Sequence, residues 1–218
     1  MMPYFRNKLY IVVKIVLFII ATAFILGCGE DTPVKDDDED ETIETGISGT
    51  EYLNVKHGFR ISNLPTSNWV IQTRNYRTGI IEKLLLMANT TQDQFTTDLD
   101  ELVEKNIVHI EVSVYGPDPS LPSKPDLAKD IMDTWISNWE WAGVETLSRG
   151  PVAAINTTGY EAVLSVPTNV GDDWTVKWAF FAKHDRGYII AYWAPKDEYE
   201  NMLSVVEPII SNFRILGL

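Results

Sequence analysis

Three residues on one stretch of chain invite an acid–base reading. His109, Glu111 and Ser113 alternate through Asn106–Tyr115, so they share one side of a strand. A base, a carboxylate and a hydroxyl are the materials of nucleophilic catalysis. Polar residues at i and i+2 are also what a solvated strand face produces by default. That face is therefore expected to be exposed and tolerant of substitution. Asp172-Asp173 offers two carboxylates that could hold a calcium-like ion, but turn chemistry alone accounts for them. His184 precedes Asp185-Arg186-Gly187 at a hairpin signal, and His57 precedes Gly58 in a turn. The three histidines lie far apart and have no metal-ligand spacing. There is no Gly-x-Ser-x-Gly elbow, phosphate loop, dinucleotide glycine fingerprint or His-Glu-x-x-His. No catalytic residue, metal ligand or cofactor is assigned.

The chain has 218 residues with 18 Lys+Arg against 31 Asp+Glu, for a formal net charge of −13. That balance excludes a general affinity for nucleic-acid phosphate. A single cysteine excludes an intramolecular disulfide framework and any multi-cysteine metal site.

Where that cysteine stands is informative. Arg6, Lys8 and Lys14 are the only charges before Glu30, and Ile15–Leu26 carries none. Twelve helical residues rise about 18 Å, too short for a bilayer core of roughly 30 Å. A basic start followed by a short apolar run is the pattern of a secretory signal peptide. Ile25-Leu26-Gly27-Cys28 resembles a bacterial lipobox, which implies cleavage between Gly27 and Cys28 and lipidation of Cys28. An acylated cysteine buries enough methylenes, at about 0.8 kcal/mol each, to hold a domain on a membrane. An uncleaved anchor with an incidental cysteine is the plainer alternative.

Residues 28–50 are read as a lipidated cysteine and an acidic, disordered tether. Asp36 to Glu41 are six successive acids, and Glu30–Thr45 holds nine acids against Lys35, or −8. Such a run repels itself and buries nothing. It lacks the glycine turn of a rigid calcium loop. An acidic stretch after a lipidated cysteine also resembles surface-export signals of some Gram-negative lipoproteins. Removing residues 1–27 and the tether leaves a domain, 51–218, that carries −8.

Within that domain Tyr52–Val55, Phe59–Ser62, Trp69–Thr73 and Ile80–Ala88 read as strands. Phe95, Leu99, Leu102 and Val103 have the spacing of a short helix. Val108, Ile110, Val112 and Val114 form a clean apolar strand face. After a proline-rich loop, Asp126 is an N-cap candidate for a helix to about Ala142, with Leu127, Ile131, Trp135, Ile136 and Trp139 as its apolar stripe. Trp141 sits off that stripe, and either marks a partner surface or covers the next strand. Strands follow near 144–147, 160–166, 174–184 and 188–194, then a helix over Asp197–Phe213 that Pro208 is expected to kink or split. Large apolar groups on both faces of 174–194 call for cover on both sides. The fold class is α+β: an α/β/α sandwich, an antiparallel sheet with helices on both faces.

Phe59-Arg60-Ile61, Leu64-Pro65 and Trp69 resemble the opening of the PsbP-like family. Gly159-Tyr160-Glu161-Ala162 is similar to its mid-domain strand. Gly187-Tyr188-Ile189-Ile190, Ala191-Tyr192 and the helix through Val206–Arg214 are similar to its end. The resemblance covers about 51–216 and implies an antiparallel sheet between helices, usually without catalysis. Relatives include the extrinsic oxygen-evolving subunit of photosystem II, a Ran-binding release factor and bacterial envelope lipoproteins. This chain shows a bacterial lipid signal in place of a plastid transit peptide, so the photosynthetic role is not carried over. The expectation is a lipid-anchored bacterial envelope protein, touching the membrane through Cys28, with a non-enzymatic binding or assembly module and a protein partner. Small-molecule or calcium-like ion binding is the alternative. An enclosed polar pocket with convergent charges would favour the alternative, and surface grooves over a filled core the module.

Overall fold

Alternating apolar residues build most of this molecule from strands. The structure is a computed structural model and describes residues 45–116, 127–140, 143–168, 173–183 and 186–217. They belong to one compact unit, Thr45–Leu218. In chain order the described elements are β1 (Gly46–Ser48), β2 (Glu51–Asn54), β3 (Phe59–Ser62), β4 (Val70–Thr78) and β5 (Ile81–Ala88). Then come α1 (Leu99–Glu104), β6 (His109–Tyr115), α2 (Leu127–Glu140) and β7 (Glu145–Ala154). The chain continues through β8 (Thr157–Val166), β9 (Trp174–Lys183), β10 (Arg186–Pro195), α3 (Tyr199–Ser211) and β11 (Arg214–Ile215).

The large sheet has the order β4-β5-β6-β10-β9-β8-β7, and a smaller sheet runs β1-β2-β3-β11. Every pairing is antiparallel. β6 pairs with β10, far along the chain, so the two meanders 70–115 and 145–195 are zipped together at Val112↔Ile190. β1 falls at the end of the 28–50 segment: the domain's first strand precedes Glu51.

Side-chain alternation along β9 splits the core in two. Trp178 and Phe180 face α2, where Ala128, Ile131, Met132 and Ile136 pack on them with Ile189 of β10. Ala179 and Phe181 face the other way, against Val206, Ile209 and Ile210 of α3. Tyr52, Phe59 and Ile61 of the small sheet belong to that second cluster. The described residues thus form a mostly antiparallel sheet with three helices. Its cover is less helical than expected, because the small sheet shares one face with α3.

Local chemistry explains the ends. The Asp98 carboxylate accepts from the Asp100 N–H at 3.0 Å and starts α1. α1 sets Leu102 over Leu86, Ala88 and Ile107. Of the kink or split expected at Pro208, the split does not occur: α3 runs on to Ser211. Proline removes one donor and crowds one carbonyl, and burial of Val206, Ile209 and Ile210 on the same helix offsets that cost. The Asn212 N–H and side-chain amide both donate to the Pro208 carbonyl, at 3.1 and 2.9 Å, and close the helix. On β8, Gly159 is sterically required, since a Cβ there would lie 1.9 Å from the Phe180 carbonyl oxygen.

Candidate functional site

β1 and β4 are terminal strands of different sheets. Thr45 to Ile47 on one side and Thr73 to Asn75 on the other wall an open cleft of about 540 Å³. Tyr52, Asn54 and Lys56 from β2 and its turn, with Glu82 and Leu84 from β5, complete it. The β4–β5 register is interrupted between Thr73 and Tyr76, so a bulge at Arg74-Asn75 sits on the cleft wall. A bulged residue is left unpaired and its side chain is re-aimed. The Arg74 guanidinium reaches the Thr97 carbonyl at 3.1 Å and the Glu111 carboxylate at 3.5 Å.

The inner end of the cleft is a polar latch between the two sheets. Lys56 Nζ contacts the Glu82 carboxylate at 2.8 Å, and His57 Nε2 lies 3.2 Å from it. The His57 contact is electrostatic rather than a directed hydrogen bond, since neither ring nitrogen has a hydrogen-bond partner among the described residues. Burial lowers the His57 pKa, with Glu82 opposing. Burial alone would raise the Glu82 pKa, but the hydrogen bonds from Lys56 and the close approach of Lys56 and His57 outweigh it, and the net shift is downward. The Tyr188 hydroxyl donates to the His57 carbonyl at 2.9 Å and pins the same turn. Asn54 donates to the Tyr52 hydroxyl oxygen and accepts from the His57 N–H, each at 2.9 Å. Burial raises the Tyr52 pKa, so its phenol stays protonated and is a donor. Lys56, Arg74 and Tyr52 together suit a carboxylate or carbonyl group.

His109, Glu111 and Ser113 share a face as expected, but the face is buried rather than solvated. His109 is 1% exposed, Ser113 4% and Glu111 9%. α1 covers neighbouring Leu86 and Ala88, and the tryptophans of the α2 side reach His109: its ring stacks on Trp193 at 6.0 Å and tilts against Trp174 at 5.8 Å. Alternation shows which residues share a side; it cannot show what lies over them. His109 Nδ1 is 2.9 Å from the Ile107 carbonyl, and burial pushes its pKa down to about 4. Glu111 meets Lys83 at 2.8 Å and accepts from the Ser113 hydroxyl at 3.2 Å. A hydroxyl donating to a paired carboxylate is no activated nucleophile. Glu111 is used up structurally.

A third polar group is buried beside α3. Lys177 lies 2.6 Å from Glu207 and 2.9 Å from Glu161. Burial works to lower its pKa, but the two carboxylates overcome that and the net shift is upward. Asn156 bonds both backbone groups of Ile215, at 2.6 and 3.1 Å, which ties β11 down.

Gly27, Cys28, the acidic run Asp36–Glu41, Trp141, Asp172 and His184 lie outside the described residues. The described Asp173 accepts from the Lys196 N–H at 3.2 Å through its carbonyl. Trp135 and Trp139 pack on the core as expected but are only half-buried, edge-on to the fully buried Trp178 at 5.8 and 5.3 Å. The cleft was missed from sequence. Its one legible trace is Glu82, a lone acid amid the apolar Ile80–Ala88 run, which signals a buried partner.

The chain matches the family of PsbP-like proteins over residues 9–215. It belongs to that family. No curated protein matches it. Among solved structures, this PsbP-like chain is similar to cyanobacterial PsbP (CyanoP) from Synechocystis sp. PCC 6803, with 14% identity and a TM-score of 0.51 over 78% of this chain and 95% of that one. It also aligns with the Ran-binding protein Mog1p of Saccharomyces cerevisiae, at 10% identity and TM-score 0.47, covering 79% and 97%. LpqN of Mycobacterium tuberculosis, described as involved in cell envelope biogenesis, aligns at 13% identity and TM-score 0.43, covering 79% and 87%. The cyanobacterial match supports the PsbP-like fold and nothing finer. No described helix is long and apolar enough to cross a membrane.

Proposed function

We propose that this chain is a lipid-anchored cell-envelope protein whose PsbP-like domain is a non-catalytic binding or assembly module. The observation that carries the module reading is the open cleft between two free sheet edges, the surface-groove outcome rather than an enclosed pocket. The buried ionisable groups support it: Glu82, Glu111 and Lys177 are each held by an opposite charge and His109 by a carbonyl. We read the domain as an α/β/α sandwich, in which α2 and α3 cover the faces and leave the edges to meet a partner. Ion binding has less support, since the described residues bring together no three His, Cys, Asp or Glu side chains.

Anchoring rests on Ile25–Cys28. Wild-type protein should stay with membranes through a high-salt wash, and Cys28→Ala should accumulate as unlipidated precursor. Release of the wild type by salt alone would refute anchoring. Turnover by the purified protein that disappears in Glu82→Gln, at an unchanged melting temperature, would overturn the non-catalytic reading.

A further inference from the structure

The sheet edges differ in how they are protected. β7 carries Pro151 in its middle, which removes a donor from that edge. β4 has nine residues and no proline. Among the described residues, Val70–Thr78 form no backbone hydrogen bond besides their pairing with β5. Such an edge accepts an added strand.

The cleft beside it has its own chemistry. Its charged lining residues are Lys56, Arg74 and Glu82, a net positive set in a domain whose net charge is −8. Arg77 adds another cation to β4, which holds no acid. A second copy paired through the same strand would bring these arginines together, so charge disfavours self-association here. Tyr52 is 1% exposed, lines the cleft, and accepts from Asn54, while its own hydroxyl proton has no acceptor among the described residues. The bulge at Arg74-Asn75 leaves backbone groups unpaired on the same wall.

We propose that the cleft between β1 and β4 captures an extended acidic segment of a partner protein, with one carboxylate seated by Lys56, Arg74 and the Tyr52 hydroxyl and the backbone hydrogen-bonded along the β4 edge. This deepens the binding-module reading and rests on it.

The probe is a decapeptide of alternating valine and glutamate, added to the full chain in detergent, with amide hydrogen exchange as readout. Exchange across 70–78 should slow. N-methylation of alternate peptide amides, which keeps the charge and removes donors, should weaken binding by at least about tenfold. Replacing glutamate by lysine should abolish it. Tyr52→Phe should cost about fivefold in affinity, the loss of one hydrogen bond, measured where the variant is fully folded, since it also orphans the buried Asn54 amide. If that variant unfolds, the N-methyl series on the wild type still decides.

Equal binding of the N-methylated peptide, or no slowing at 70–78, overturns the proposal. So does slowing that grows with protein concentration in the absence of peptide, which means self-pairing. Peptide binding that appears only when Asp36–Glu41 are replaced by Asn and Gln makes the chain's own acidic segment the occupant, and overturns it too. A partner crosslinked on intact membranes at a surface away from β4 would overturn the edge site while leaving the module reading intact.

Discussion

Acidification should destabilise this domain through His109, and the size of the effect follows from its surroundings. The ring is buried between Trp174 and Trp193, and its pKa is pushed down to about 4 by burial, with the Ile107 carbonyl and Glu111 opposing. An unfolded histidine titrates near 6.5. Below that pH the unfolded chain takes up a proton that the folded chain refuses, so stability falls as pH falls. Linkage gives a loss of about 2 kcal/mol by pH 5 and about 3 kcal/mol by pH 4. Most of the loss is complete once pH passes the folded pKa. Other groups titrate in the same window, among them the depressed His57 and Glu82. The assay is therefore a difference: urea unfolding by tryptophan fluorescence at pH 7, 6, 5 and 4 for wild type and His109→Phe. Phenylalanine keeps the stacking and loses the hydrogen bond to Ile107, at about 1 kcal/mol at pH 7. Its deficit should shrink with acidification and reverse, the two stabilities shifting by about 3 kcal/mol relative to each other. Parallel pH profiles would refute the buried, neutral imidazole. So would a folded-state titration of His109 near 6.5 by NMR.

Two further perturbations test the packing. Gly159→Ala should cost about 3 kcal/mol, because its methyl must displace the Phe180 carbonyl, which is backbone; an unchanged urea midpoint would show that β8 and β9 are not in that register. Trp178→Ala should cost about 3–5 kcal/mol and the half-buried Trp139→Ala clearly less. A reversed order in chemical unfolding would mean that α2 does not sit on Trp178.

Much of the fold is legible in particular residues. Val108 to Val114 state a strand and its apolar side, and Ile131, Ile136 and Trp139 a helix with a core stripe; the hairpin signal near Gly187 marks the β9–β10 pairing, with Arg186 and Gly187 already inside β10. These follow from periods of 2 and 3.6 residues, which depend only on neighbours in sequence. Pro208 does not split α3, because the local cost of proline is a fixed property of the residue, whereas the burial that outweighs it belongs to the assembled core.

The sequence alone determined most of the elements, though not the short β1 and β11, together with the charge excess, the apolar sides of the strands and the family resemblance that the match over 9–215 bears out. Tertiary structure decided what covers each side. Whether His109 is wet depends on α1 and on tryptophans 65 and 84 residues further along the chain, at 174 and 193. The cleft likewise needs the edge of one sheet brought beside the edge of another, and Glu82 of β5 brought under the Lys56-His57 turn. Pairings between strands far apart in sequence are set by the joint burial of many side chains. No local pattern encodes them.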